Sequence, residues 1–149
     1  MKYTEKITDH LNDVLKKSFD AEQEYLTAAE NVDTIELKRY FEKRASERSE
    51  FSKKLQSEIE TYGASPKDNT SFKADAHRVW MNFRAALSSN NEETILKEII
   101  RGEEAALEEY NEVMKEHTLP KSTYDLLMKQ RSTISNALEE AKNFEMIEA

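Results

Sequence analysis

Glu103 is a carboxylate where helical spacing calls for a core residue, because Ile99, Ala106 and Tyr110 share its face of one helix. A buried charge needs a partner, so the chemistry here turns on whether Glu103 meets a metal ion, a proton or an arginine. Other charges point the same way. Glu22 lies seven residues after Leu15 and seven before Ala29, which predicts an inward carboxylate on the first long helix. On the same helix Asp20 and Glu24 fall on the opposite, wet face. Arg44 and Arg48 fall on the buried stripe of the second helix, with Glu47 at its edge and Glu50 pointing well away. Arg131 falls on the buried stripe of the last helix, and Tyr25 and Tyr110 offer inward hydroxyl donors.

The elements that must position these groups follow from apolar periodicity. Ile7, Leu11, Val14, Leu15, Ala21, Tyr25, Ala28, Ala29 and Val32 predict one long helix from about Thr4 to Asn31. Asp33-Thr34-Ile35-Glu36 has the form of a capping box. So short a link sets the second helix antiparallel to the first, running to Tyr62 with Gly63 as its stop. The stretch from Gly63 to Ser71 is loop-like. Phe72, Ala76, Val79, Trp80, Phe83 and Leu87 predict a shorter amphipathic helix that can carry the chain lengthwise and let the third long helix run parallel to the second. Asn90-Asn91-Glu92-Glu93 opens that third helix, which reaches about His117, and Gly102 within it suggests a close backbone approach beside Glu103. Pro120 opens the last, with Tyr124, Leu127, Arg131, Ile134, Leu138 and Ala141 inward.

The bulk properties exclude several classes of function. The 149 residues suit one domain over 1–149, and 38% hydrophobic content supports one core. Two Gly and two Pro against 35% charged residues favour helix over strand. A net charge of -8, with Lys and Arg interleaved among Glu, leaves no basic stripe for nucleic acid. The absence of cysteine excludes disulfides, thiolate catalysis and cysteine-held clusters. Without an apolar signal core or a membrane-length apolar run, the chain is expected to be soluble and cytoplasmic, with no membrane span.

Asp20-Ala21-Glu22 with Tyr25, Ala76-His77-Arg78-Val79-Trp80-Met81-Asn82, and Arg101-Gly102-Glu103 with Tyr110 are the stretches in which the chain resembles the ferritin-like superfamily, and within it an uncharacterised bacterial family of such bundles. The resemblance implies an all-α, ferritin-like four-helix bundle with an extra crossover helix between the second and third bundle helices. It also implies a place for a metal pair, since ferritin-like metal proteins use one Glu from each of two helices and Glu-x-x-His from each of the others. Only the single carboxylates, Glu22 and Glu103, match. The second helix offers Arg44-x-x-Glu47 or Glu47-x-x-Glu50, and the last offers Arg131-x-x-Ile134. His10, His77 and His117 have no carboxylate pair at ligand spacing and are expected to be surface or packing residues.

This degenerate metal site is better explained as a buried ionic network in which Glu22 and Glu103 pair with Arg44, Arg48 or Arg131, with Tyr25 and Tyr110 donating hydrogen bonds. No cofactor and no transition metal are expected; any ion held would use Glu22, Glu47 and Glu103. The functional expectation is a non-catalytic structural or interaction protein, stress-related by family analogy and self-associating as a homo-oligomer. The alternative is a carboxylate-bridged metal oxidase or iron-handling protein with atypical ligands. A third reading, a small-molecule pocket beneath Trp80, rests on amphipathic aromatics that are more often core. Glu104, Glu108, Glu112 and Glu116 form an outer acidic stripe, read first as a solvated face and second as a docking surface for a basic partner or a weak divalent-ion stripe.

Overall fold

The computed structural model describes residues 2–67, 81, 83–89, 91–116 and 118–148. Four long helices dominate them: α1 (Tyr3–Glu30), α2 (Ile35–Thr61), α3 (Glu92–Glu116) and α4 (Lys121–Glu148). A helical stretch over 83–88 precedes α3, and no strand occurs among the described residues. His77, Trp80, His117 and the first part of the expected crossover helix lie outside them.

Each helix buries a stripe with a repeat of seven. On α1 the stripe is Ile7, Leu11, Val14, Ser18, Ala21, Tyr25 and Ala28, and on α4 it is Thr123, Leu127, Gln130, Ile134, Ala137 and Ala141. The α4 stripe corrects the sequence expectation, in which Tyr124 and Arg131 faced inward. Tyr124 is exposed and its neighbour Thr123 is fully buried. Periodicity chose the larger side chain, whereas the fold inserts the smaller one and satisfies its hydroxyl with Glu58 Oε2 and Tyr62 Oη, each at 2.6 Å.

The helix ends have identifiable causes. Gly63 stops α2 at φ +78, a left-handed conformation that Gly adopts without a Cβ penalty. Asn91 caps α3 by accepting the Thr94 amide at 3.2 Å. At the start of α2 the expected local capping box does not form. Glu92, from the first turn of α3, instead accepts the amides of Asp33 and Thr34 at 2.8 and 3.2 Å and the Thr34 hydroxyl at 2.7 Å. Burial opposes the charge on Glu92, but the Thr34 hydroxyl and the two amides outweigh it and hold the carboxyl below its ordinary range.

Cross-helix bonds fix the directions. Tyr3 bonds the Thr118 carbonyl, Tyr25 bonds Glu103 and Thr34 bonds Glu92, so α1 and α3 run antiparallel. Tyr40 bonds the Ala137 carbonyl, and Ser122 and Thr123 bond Glu58, so α2 and α4 do likewise. With α1 and α2 joined by a four-residue link, α2 and α3 are parallel. Thr61 and Glu92 therefore stand at opposite ends of α2, about 40 Å apart. Ahead of α3 in the chain, Phe83 joins the apolar cluster of Val32, Leu37 and Leu96, with Leu87 packed against it.

Candidate functional site

Two apolar clusters fill the bundle, one around Tyr25, Phe41, Ile95 and Ile99, the other around Leu11, Leu55, Tyr110 and Leu127. The polar side chains Ser18, Arg48, Ser52, Glu103 and Gln130 are all buried at mid-helix positions between them. Glu103 Oε2 accepts the Tyr25 hydroxyl at 2.8 Å and also the Arg48 guanidinium. Arg48 and Glu103 are each 3% exposed, so this is a dry ion pair. The guanidinium also lies over the rings of Phe51 and Tyr25, with centroids at 5.6 and 5.8 Å.

Titration follows from that arrangement. Burial and then the Glu103 charge raise the Tyr25 hydroxyl well above its ordinary value, fixing it as a donor. Burial opposes the charge on Arg48, but the adjacent carboxylate outweighs it and the guanidinium is held more firmly protonated. Tyr110 is the second inward hydroxyl, and its partner is Gln130 Oε1 at 2.7 Å rather than a charge. Gln130 Nε2 in turn donates to the Phe51 carbonyl at 3.4 Å.

The other expected members of the network lie elsewhere. Glu22 is only half buried and sits on the flank of α1, where Lys53 is the cation that acts on it. A seven-residue stripe moves back by about 20° per heptad on a straight helix, or about 40° between Ile7 and Ala21. That drift carries Glu22 out and turns Glu24 in, reversing the wet-face assignment of Glu24, which is 9% exposed. Arg44 bonds Glu47 at 3.0 Å, approaches Glu140 at 3.8 Å and covers the Tyr40 ring at 5.4 Å, so it serves the α2–α4 seam. Its Nε is buried without a hydrogen-bond partner. Arg131 is half exposed and donates to Asn111 Oδ1 at 2.9 Å. The position beside it, Gln130, is the inward polar residue of α4.

Glu22, Glu47 and Glu103 thus do not converge, and the described residues contain no group of three or more His, Asp or Glu side chains placed to share a metal ion. His10 has Asp13 4.0 Å away. Glu104, Glu108 and Glu112 are exposed on α3, and the side chain of Glu116 lies outside the described residues.

Beside the ion pair a cleft of about 150 Å³ opens between α1 and α3, lined by Lys17, Asp20, Ala21, Glu24, Tyr25, Glu98, Ile99, Arg101, Gly102, Glu103 and Ala105. Asp20 is bonded to Lys16 at 3.1 Å, and Glu98 to Arg101 at 2.9 Å. Burial, reinforced by Asp20, Glu103 and Glu98, pushes the Glu24 carboxyl up to about 8, with Arg48 opposing. The centre can therefore hold a fixed ion pair and, next to it, a carboxyl that keeps its proton at neutral pH. Sequence reasoning missed Glu24 and Gln130. Gly102 was the available signal for the first, since an added Cβ there would stand 3.2 Å from Glu24 Oε2.

No curated protein matches the sequence. The family model of DUF2383, a domain of unknown function, matches residues 6–116, from α1 through α3, and the chain belongs to that family.

Proposed function

We infer that the protein is a ferritin-like bundle whose centre is closed by an arginine–carboxylate pair in place of a metal pair, and that it acts as a non-catalytic structural or interaction protein. Supporting the ferritin-like assignment are the antiparallel pairs α1–α2 and α3–α4 and the parallel directions of α2 and α3. The observation that carries the functional reading is the bond from Arg48 to Glu103 Oε2, which also takes the Tyr25 hydroxyl.

The donor set does not fit two metal ions. Glu103 is the carboxylate of the dry mid-bundle layer, its charge is matched by a buried cation, and α4 contributes the neutral Gln130. A divalent ion held by Glu103 would be repelled by Arg48, which already neutralises that carboxylate. In this reading the described residues of the centre serve structure, and the work of the protein falls to its outer faces and clefts.

Elemental analysis of protein purified and then exposed to ferrous or manganous ion tests the reading. It requires metal far below one ion per chain and no oxidase activity. Near-stoichiometric metal that disappears in Glu103→Ala would overturn it in favour of an oxidase or iron-handling protein.

A further inference from the structure

Glu24 differs from the other buried polar groups of the centre. Glu103, Arg48, Tyr25, Tyr110, Gln130 and Ser52 all form hydrogen bonds within the fold. Glu24 is also buried, at 9% exposure, yet it makes no hydrogen bond or ion pair with the described residues, and it lines the α1–α3 cleft. Gly102 leaves the room it occupies, with a Cβ there only 3.2 Å from its Oε2. An unpaired buried carboxyl is costly, and a fold that keeps one beside an open cleft presents a counter-charge to something that enters.

We propose that the α1–α3 cleft binds a short-chain primary alkylammonium ion, with Glu24 as its counter-ion and Ala21, Ile99 and Ala105 around its methylenes. Three features select this chemistry. A divalent metal needs several converging ligands, and no such set of three exists among the described residues. An ammonium needs one counter-charge and a few acceptors, and its stem packs on small apolar side chains. The cleft volume of about 150 Å³ is that of an engineered cavity known to take a six-carbon ring, which sets a stem of about four to six carbons.

The charge balance is explicit. On α1 the groups facing Glu24 are Asp20 and Lys17, with Asp20 held by Lys16; on α3 they are Glu98, Arg101 and Glu103; on α2 the group is Arg48. Asp20, Glu98 and Glu103 already have cations and Lys17 acts on Glu109, so the entering ammonium answers Glu24. At pH 7 the ligand is charged and Glu24 holds a proton, so binding releases that proton to solvent and converts Glu24–COOH to the carboxylate. Affinity should then rise about tenfold per pH unit below 8 and level off above it.

The test is calorimetric titration of the full chain with n-butylammonium between pH 6 and 9, in two buffers of different ionisation enthalpy. Expected are saturable one-to-one binding, release of close to one proton at pH 7, and loss of binding in Glu24→Gln. Gly102→Ala, which fills the space beside the carboxyl, should also lose it, and circular dichroism verifies that each variant is folded. If Glu24→Gln does not fold, Gly102→Ala and the proton count decide. No saturation at pH 8.5, binding that persists in either folded variant, or binding without proton release would overturn the proposal. So would tighter, Glu24-dependent binding of manganous ion in the same titration.

Discussion

Gly102 of α3 and Glu24 of α1 meet across one seam, since a methyl added to Gly102 would lie 3.2 Å from Glu24 Oε2. The contact is with the end of a flexible side chain beside an open cleft, so the carboxyl can yield. Replacing a mid-helix Gly by Ala contributes roughly 0.5–1 kcal/mol of stability through the backbone. Gly102→Ala is therefore expected to fold and to raise the melting temperature by a few degrees, while displacing Glu24 toward water and lowering its pKa. Unchanged Glu24 titration by NMR would show that the contact does not constrain it.

Glu24 should make stability depend on pH in the direction opposite to a salt-bridged acid. Its folded pKa of about 8 lies above the 4.5 of an ordinary glutamate, so the folded state binds more protons between those values. Its contribution is fully present below pH 4.5 and is lost as pH rises through 8. The interval corresponds to an upper bound on the order of 5 kcal/mol. Glu24→Gln should behave much like the wild type at pH 5 and be clearly more stable at pH 9. Urea denaturation at the two pH values measures this, and parallel changes in both proteins would refute it.

Gln130 and Arg131 are neighbours with opposite fates. Gln130 is 2% exposed and takes the Tyr110 hydroxyl, so Gln130→Ala leaves a buried donor unpaired and should destabilise by about 1–3 kcal/mol. Arg131 bonds Asn111 at the surface, and Arg131→Ala should change stability by less than about 1 kcal/mol. The order of the two melting temperatures is the measurement.

That pair also shows where the sequence stops being informative. The α3 cap at Asn91, the Gly63 stop and the inward Glu103 are local or periodic signals, and each was legible. Glu22 and Glu24 were exchanged because a fixed helical wheel ignores the drift of a seven-residue stripe, which accumulates along 28 residues of α1. Arg131 was favoured over Gln130, and Tyr124 over Thr123, because hydropathy ranks size and charge but cannot see a partner across the bundle. The capping of α2 by Glu92 joins residues 58 and 59 positions apart and has no local signature.

The central relationship is the pair of Arg48 with Glu103. Removing one member of a buried ion pair leaves an uncompensated charge and costs about 3–5 kcal/mol, whereas replacing both by apolar residues is often tolerated. Arg48→Met and Glu103→Leu should each destabilise strongly, and the double variant should recover much of the loss.

The most direct test is the double-mutant cycle of Arg48→Met and Glu103→Leu by urea denaturation at pH 7. A coupling energy of at least about 3 kcal/mol is expected, because recovery in the double variant requires it to exceed the loss of a single change. Additive effects, with coupling below about 0.5 kcal/mol, would contradict an ion pair at the centre of the bundle.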